Sequence, residues 1–196
     1  MEDTAVRIFW AADSTVQTND ITTYPQTGIG QVFSLYTREG VVLSNHAKNG
    51  RSTKSFMDEG RLAVIEGQMY INAARKHHAH PVLITPLERR CFVDARHLGM
   101  GAHSDYVAAM KQTAEKNRVP LVDLYSMSRS ALKSAGEPDS RSWYMYFDAG
   151  VYENYPEGKT DNTHLRYEGA VHFAGMIARG LRDLGGIYAD LLLDGG

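Results

Sequence analysis

Short apolar runs alternate with amphipathic stretches along the chain, and each apolar run stops abruptly at polar residues. The apolar runs predict buried strands over 8–10, 41–43, 81–85 and 121–123. Apolar residues at helical spacing predict helices over 29–36, 53–79, 104–117, 124–132 and 170–184, the last stopped by two glycines. Strands that alternate with helices in this way indicate an α/β fold with a parallel sheet. No repeat or linker interrupts the pattern, so we expect one domain over 1–196.

A serine follows the first predicted strand, and an acid and a histidine lie near the far end of the chain. Ser14 comes at the carboxyl end of its strand, where open α/β sheets bind ligands. A serine hydroxyl becomes a strong nucleophile when a base takes its proton and a carboxylate orients that base. Asp161 and His164 supply both groups. The alternative is structural, with Asp13 in a turn and Asp161 or Thr163 as a helix N-cap.

Four segments carry a resemblance to a known family. They read Ala-Ala-Asp-Ser-Thr at 11–15, Asn-His-Ala-Lys-Asn-Gly-Arg-Ser at 45–52, Pro-Val-Leu-Ile-Thr-Pro at 81–86 with Glu-Arg-Arg at 88–90, and Asn-Tyr-Pro-Glu-Gly-Lys-Thr-Asp-Asn-Thr-His at 154–164. In these motifs the chain resembles the SGNH/GDSL hydrolases, most closely their rhamnogalacturonan acetylesterase branch. The resemblance implies a flavodoxin-like three-layer α/β/α sandwich with a parallel sheet, the SGNH hydrolase fold.

The resemblance also implies roles for individual residues. Ser14 would attack an acetyl carbonyl, His164 would take its proton, and Asp161 would orient the imidazole. The backbone N–H groups of Ser14 and Gly50 would stabilise the oxyanion. A glycine between a strand and a helix also fits an ordinary turn, so the role of Gly50 rests on the family motif.

Five residues are candidate substrate contacts. Asp13 and Asn49 lie in the motifs around the nucleophile and the glycine, and His103 precedes a helix beside a glycine-rich loop. Tyr152 and Tyr155 belong to a loop rich in tyrosine, proline and asparagine over 148–163. Such a loop inside a compact domain is usually functional. Its tyrosines suit stacking on sugar rings, although they would equally suit covering the core.

The chain departs from the family at one point. Relatives have a central strand that ends in a Gly-x-Asn-Asp-like motif and supplies an oxyanion asparagine, whereas this chain passes directly from Gln68 to Met69. The missing piece is roughly 30 residues by the size of a βαβ repeat, and Asn72 is no obvious substitute because it lies mid-helix. We therefore predict that the sequence omits a segment and that Gln68 and Met69 lie far apart. A continuous helix there would instead indicate an impaired or altered catalyst.

Composition and charge narrow the possible partners. A net charge of −2 argues against nucleic acid or an anionic membrane surface, and no apolar run is long enough to span a bilayer. His77, His78 and His80 cluster, but adjacent positions on a helix point apart and no carboxylate or cysteine completes a metal site. We predict no metal and no cofactor. A single cysteine excludes an internal disulfide.

The expected function is that of a carbohydrate esterase removing O-acetyl groups from acetylated pectic sugars. Two alternatives stay open: a catalytically impaired carbohydrate-binding relative without a full oxyanion hole, and an SGNH lipase or thioesterase. The polar, tyrosine-rich loop and the lack of an apolar lid-like segment favour a sugar ester. The first strand begins close to Met1, which predicts a cytoplasmic enzyme, or a secreted one if a leader was removed. The expected partner is an acetylated oligosaccharide or polysaccharide, and the oligomeric state is left open.

Overall fold

A computed structural model describes residues 6–50, 62–101 and 103–194, with the backbone alone over 62–68. The strands are β1 (Arg7–Trp10), β2 (Val42–Asn45), β3 (Leu83–Ile84), β4 (Leu121–Val122), β5 (Tyr144–Phe147) and β6 (Lys159–Leu165). The α-helices are α1 (Ile29–Val32), α2 (Leu62–Lys76), α3 (Ser104–Asn117), α4 (Leu124–Ser140), α5 (Tyr167–Leu184) and α6 (Gly186–Ala189). Short 3₁₀ turns cover Ile21–Thr23, Phe33–Tyr36 and Arg141–Trp143.

Among the residues described, the strands form three separate pairs. β1 pairs with β2 and β3 with β4, both in parallel, while β5 pairs with β6 in the antiparallel sense. Parallel strands joined through helices place the chain in the α/β class, as predicted. The expected single parallel sheet is divided, because no strand hydrogen bonds join the two parallel pairs within the described residues.

One edge of β1 has no strand partner within the described ranges. The carbonyls of Val6, Trp10 and Ala12 accept hydrogen bonds from β2 and the residues after it, at 2.9, 2.9 and 3.2 Å. Since a parallel ladder uses alternate residues on each side, the backbone groups of Arg7 and Phe9 face the other way. In the described part of the chain nothing pairs with them, and the Phe9 side chain is 65% exposed. The strand that leads to Ser14 is therefore held by a neighbouring strand on one side.

The predicted break between Gln68 and Met69 is wrong. Helix α2 runs from Leu62 to Lys76 without interruption, so the two residues are consecutive within one helix. The helix is tied to its neighbour α3 at its carboxyl end, where Arg75 donates a hydrogen bond of 2.7 Å to the Asn117 carbonyl. The first part of the helix predicted over 53–79 lies outside the described residues up to position 61.

Helix α5 is the centre of the hydrophobic core. Its inner face is fully buried along the helix and packs against α1, β4 and the end of α4, with Ala170, Phe173, Ala174, Ile177 and Ala178 at 0–1% exposure. Gly185, with φ of 70°, ends the helix where the sequence predicted a stop. No helix in the described ranges has the length and apolarity that a membrane crossing requires.

The prediction of a loop over 148–163 is wrong for residues 159–163, which belong to a strand. Residues from Lys159 onwards form β6, which pairs with the aromatic strand β5. The sequence of β6 is polar and lacks the alternation of a half-buried strand, so local pattern gave no sign of it. The apolar side chains of the pair come from the partner strand β5, in which Tyr144 and Met145 are both fully buried. This pairing brings the Asp161–His164 segment back toward the middle of the molecule.

Candidate active site

Ser14 lies in a tight turn immediately beyond β1. The Asp13 carboxylate accepts hydrogen bonds from the Thr15 N–H at 2.9 Å and the Thr15 hydroxyl at 2.7 Å. The Asp13 carbonyl accepts from the N–H groups of Val16 and Gln17, both at 3.2 Å. Such side-chain bonds to the local backbone fix a turn. Within the described chain the Ser14 N–H donates to no protein acceptor, which leaves it available to a ligand oxygen.

Asp161 and His164 lie on a bulge of β6. Tyr146 pairs with Thr160 and Tyr144 with Leu165, so residues 161–164 of β6 lie opposite Met145 alone. Extra residues in one strand bend it away from the ladder and re-aim its side chains, an arrangement common next to active sites. The bulge turns the Asp161–His164 segment toward the Ser14 turn.

The structure brings Ser14, Asp161 and His164 together, as the sequence predicted. The Nδ1 atom of His164 lies 2.8 Å from Asp161 Oδ2, and its Nε2 atom lies 2.9 Å from Ser14 Oγ. The other carboxylate oxygen of Asp161 accepts from the N–H groups of Thr163 and His164, at 2.8 and 3.1 Å. One carboxylate thus fixes both the backbone of the bulge and the ring of the histidine.

Asp161 is held in its ionised form. Burial would raise its pKa, but hydrogen bonds from the His164 ring and from the N–H groups of His164 and Thr163 outweigh it and lower the pKa to about 2. The Asp161 and His164 side chains remain 18% and 26% exposed, so the group is open to a substrate. A hydroxyl in contact with an imidazole that a carboxylate orients has the arrangement of an activated nucleophile.

Gly50 and Asn49 are linked to the nucleophile turn only indirectly. The Asn49 N–H donates to the side-chain carbonyl of Gln17, three residues after Ser14. Gly50 lies in an exposed turn with φ of 73°, a conformation that glycine adopts without strain. No hydrogen bond joins Gly50 to Ser14 or His164 within the described residues. Its oxyanion role and the substrate role of Asn49 stay predictions.

Asp13 and His103 have structural partners of their own. The Asp13 carboxylate is occupied by Thr15 in the nucleophile turn, as the structural alternative proposed. His103 begins α3, and its ring lies edge-on to Tyr106 with the ring centres 6.0 Å apart. Their contact with substrate stays a prediction.

Tyr152 and Tyr155 both pack against Phe147 of β5, with ring centres 4.6 and 5.7 Å away. Tyr152 also lies edge-on to Tyr24, and the Tyr155 hydroxyl donates to the Thr23 carbonyl at 3.3 Å. Burial, and then the negative charge of Asp161, raise the pKa of Tyr155. Both rings are half-buried, and their contact with substrate stays a prediction.

Sequence reasoning missed Asn154, which joins the two halves of the site. Its side-chain amide donates to the carbonyls of Ile21 and Tyr24, at 2.8 and 3.0 Å. These carbonyls belong to the segment that follows the Ser14 turn, whereas Asn154 belongs to the loop before β6. The composition of that loop indicated function, but no local pattern indicated which segment the loop would contact.

Solved structures of low sequence identity share this fold. Protein YXIM of Bacillus subtilis matches with a TM-score of 0.74 and 20% identity, covering 94% of this chain and 58% of its own. A member of the lipolytic protein G-D-S-L family from Veillonella parvula matches with a TM-score of 0.52 and 13% identity, covering 89% of this chain and 97% of its own. The fold is therefore that of the SGNH/GDSL α/β hydrolases. No family model matches the chain.

Two relatives from Bacillus subtilis strain 168 are closer in sequence. Rhamnogalacturonan acetylesterase RhgT is 32% identical, over 92% of this chain and 91% of its own length. The protein named "Probable rhamnogalacturonan acetylesterase YesY" is also 32% identical, over 92% of this chain and 94% of its own length. The chain belongs to the rhamnogalacturonan acetylesterase family of SGNH/GDSL hydrolases, and it is a serine esterase.

The alignment with RhgT also measures how much shorter this chain is. The alignment spans 214 positions, whereas the aligned 92% of this 196-residue chain amounts to about 180 residues. About 34 positions of the alignment therefore have no residue of this chain opposite them. This difference is similar to the roughly 30 residues of a strand, a loop and part of a helix that the sequence suggested were missing.

Proposed function

We propose that this chain removes O-acetyl groups from acetylated rhamnogalacturonan, with Ser14 as the nucleophile. The observation that carries the proposal is the continuous contact from Asp161 through His164 to Ser14, at 2.8 and 2.9 Å. The names of the two relatives support an acetylated carbohydrate as the substrate. The polar and tyrosine side chains around Asp161 favour a sugar over an apolar acyl chain.

The reaction would proceed in two steps. Ser14 Oγ attacks the acetyl carbonyl carbon while its proton passes to His164 Nε2, and the Ser14 N–H donates to the resulting oxyanion. The ester C–O bond then breaks, the proton moves from His164 to the departing sugar oxygen, and the acetyl group remains on Ser14. Water then attacks the acetyl-enzyme while His164 Nε2 takes its proton. The bond between the acetyl carbon and Ser14 Oγ breaks, His164 returns the proton to Ser14 Oγ, and the acetic acid released loses its own proton to solvent. Ionised Asp161 stabilises the imidazolium in both steps.

A second candidate function is that of a catalytically impaired carbohydrate-binding relative. Two observations favour it: α2 runs without interruption through Gln68 and Met69, and about 34 aligned positions of RhgT have no residue of this chain. Loss of one oxyanion donor typically costs about 100- to 1,000-fold in turnover. The two candidates differ in whether a bound acetylated sugar is hydrolysed.

Acetate release from matched substrates should separate these functions. We expect a higher kcat/KM on acetylated rhamnogalacturonan than on acetylated xylan, and faster cleavage of p-nitrophenyl acetate than of the butyrate. Acetate is measured enzymatically, with Ser14→Ala as the blank. Binding of the oligosaccharide without acetate release would favour the impaired relative, and faster cleavage of longer acyl chains would favour a lipase or thioesterase.

Activity should rise with pH between 5 and 8. Only neutral imidazole can accept the Ser14 proton, and histidine side chains titrate in this range. The pKa of about 2 keeps Asp161 ionised throughout this range. The measurement is kcat/KM for p-nitrophenyl acetate at constant ionic strength, corrected for spontaneous hydrolysis. A flat profile would argue against His164 as the base.

A further inference from the structure

The bulge that carries Asp161 and His164 needs an anchor other than β5. Residues 161–164 lie opposite Met145 alone, so most of their backbone groups have no ladder partner on that strand. The carbonyl of Asn162, in the middle of the bulge, accepts a hydrogen bond of 2.9 Å from the N–H of Arg90. The Arg90 guanidinium also donates to Asn162 Oδ1 at 3.2 Å. One residue thus holds both the backbone and the side chain of the bulge.

The Arg90 side chain is fixed in place by its remaining contacts. Its Nε donates to the Ser140 hydroxyl at 3.1 Å, and its Nη2 donates to the Glu137 carboxylate at 2.5 Å and to the Glu137 carbonyl. The side chain is only 2% exposed, and the Tyr146 ring lies 5.0 Å from its guanidinium carbon. A planar guanidinium with every nitrogen engaged has little freedom to move.

The local shape of α4 provides the partners of Arg90. Gly136, with φ of 78°, interrupts the helix two residues before Pro138, and the carbonyl of Glu137 turns toward Arg90. The hydrogen bond from Arg90 is the first cause of a lowered pKa at Glu137, so that carboxylate is ionised and balances the buried charge. The buried charge of Arg90 is thus neutralised by Glu137 while its guanidinium contacts Asn162 in the Asp161–His164 segment.

We propose that Arg90 is a positioning residue that holds the β6 bulge so that His164 stays in contact with Ser14. This inference rests on the proposed function. Arg90 touches neither Ser14 nor His164, and it acts through Asn162. A displacement of reacting groups by about 1 Å can cost on the order of 100-fold in rate. Loss of the anchor should therefore lower turnover while substrate binding is kept.

The test replaces Arg90 with methionine, which keeps the backbone N–H and removes the guanidinium. We expect Arg90→Met to lower kcat about 10- to 100-fold with KM changed by less than about twofold, because geometry and not binding is affected. Active enzyme is counted from the burst of p-nitrophenol, so that a misfolded fraction does not lower the measured kcat. Asn162→Ala should lower kcat by a smaller factor, and the double variant should lose less than the product of the two.

Arg129→Met is the matched control. Arg129 makes a comparable ion pair of 2.5 Å with Glu88, which is 2% exposed, and it donates to the Gly99 carbonyl rather than to β6. This variant should lower the melting temperature and keep kcat. A wild-type kcat in Arg90→Met would overturn the inference. If Arg90→Met fails to fold, a wild-type kcat in Asn162→Ala would overturn it instead. An active Ser14→Ala would instead refute the proposed function.

Discussion

Ser14→Ala should lower turnover by a factor on the order of 10⁶, the loss seen when a catalytic serine is removed from such an arrangement. The melting temperature should stay nearly unchanged. The side chain is half-buried in a turn that Asp13 and Thr15 hold together, so the substitution removes one hydrogen bond, to His164, and leaves no cavity of consequence. Acetate release and differential scanning fluorimetry on the same preparation measure both effects.

Ser34→Ala is the control for this experiment. Ser34 is exposed and belongs to the 3₁₀ turn over Phe33–Tyr36, which is part of neither the Ser14 turn nor the β6 bulge. It should retain full activity and the same melting temperature. A Ser14→Ala variant with wild-type turnover would exclude Ser14 as the nucleophile.

Asp161→Asn should lower kcat by about 10⁴-fold, because the amide can donate to His164 Nδ1 and hold the ring in the wrong tautomer. The hydrogen-bond acceptor for the Thr163 and His164 N–H groups is retained in asparagine, so the bulge should keep its shape. The measurement is kcat for p-nitrophenyl acetate, together with near-UV circular dichroism to check the fold. Asp183→Asn is the matched control, since it makes the same change at an exposed position of α5 outside the Ser14 turn and the β6 bulge, and it should keep wild-type kcat. Equal activity of Asp161→Asn and the wild type would show that Asp161 does not orient the base.

The residues around Ser14 could be named from the sequence because each of their motifs is local. An apolar strand that stops at Asp13 and Ser14 places the serine at the edge of the fold, and the spacing of Asp161 and His164 allows one carboxylate to reach both the ring and the backbone. The helix at Ser104–Asn117 matched its predicted limits for the same reason, since its apolar residues recur at helical spacing.

The support behind the site could not be predicted, because it depends on contacts between distant segments. Strand β6 has a polar sequence and becomes a strand only through its pairing with β5. Arg90 was visible as part of a charged triplet after an apolar run, but nothing local showed that it is buried against Asn162, 72 positions away. A charge in a sequence usually indicates a solvated side chain, and here long-range packing decides otherwise.

The shortness of the chain was detected from the sequence, but its structural consequence was predicted wrongly. A missing element suggested a break between Gln68 and Met69, whereas α2 passes through both residues without interruption. The two parallel pairs are separate within the described residues, and the backbone of β1 at Arg7 and Phe9 has no strand beside it.

The open edge of β1 also determines how the molecule resists local opening. Backbone amides in the middle of α5 are protected by helical hydrogen bonds and a fully buried face, so their hydrogen exchange requires nearly complete unfolding. The amides of Arg7 and Phe9 point away from β2, and in the described chain they have no acceptor to break before they exchange. Since β1 has a strand partner on one side alone within the described chain, detaching it from β2 should cost less free energy than disrupting α5, whose inner face is fully buried. Since β1 leads directly to Ser14, the enzyme should lose its active geometry on heating before it loses its helices.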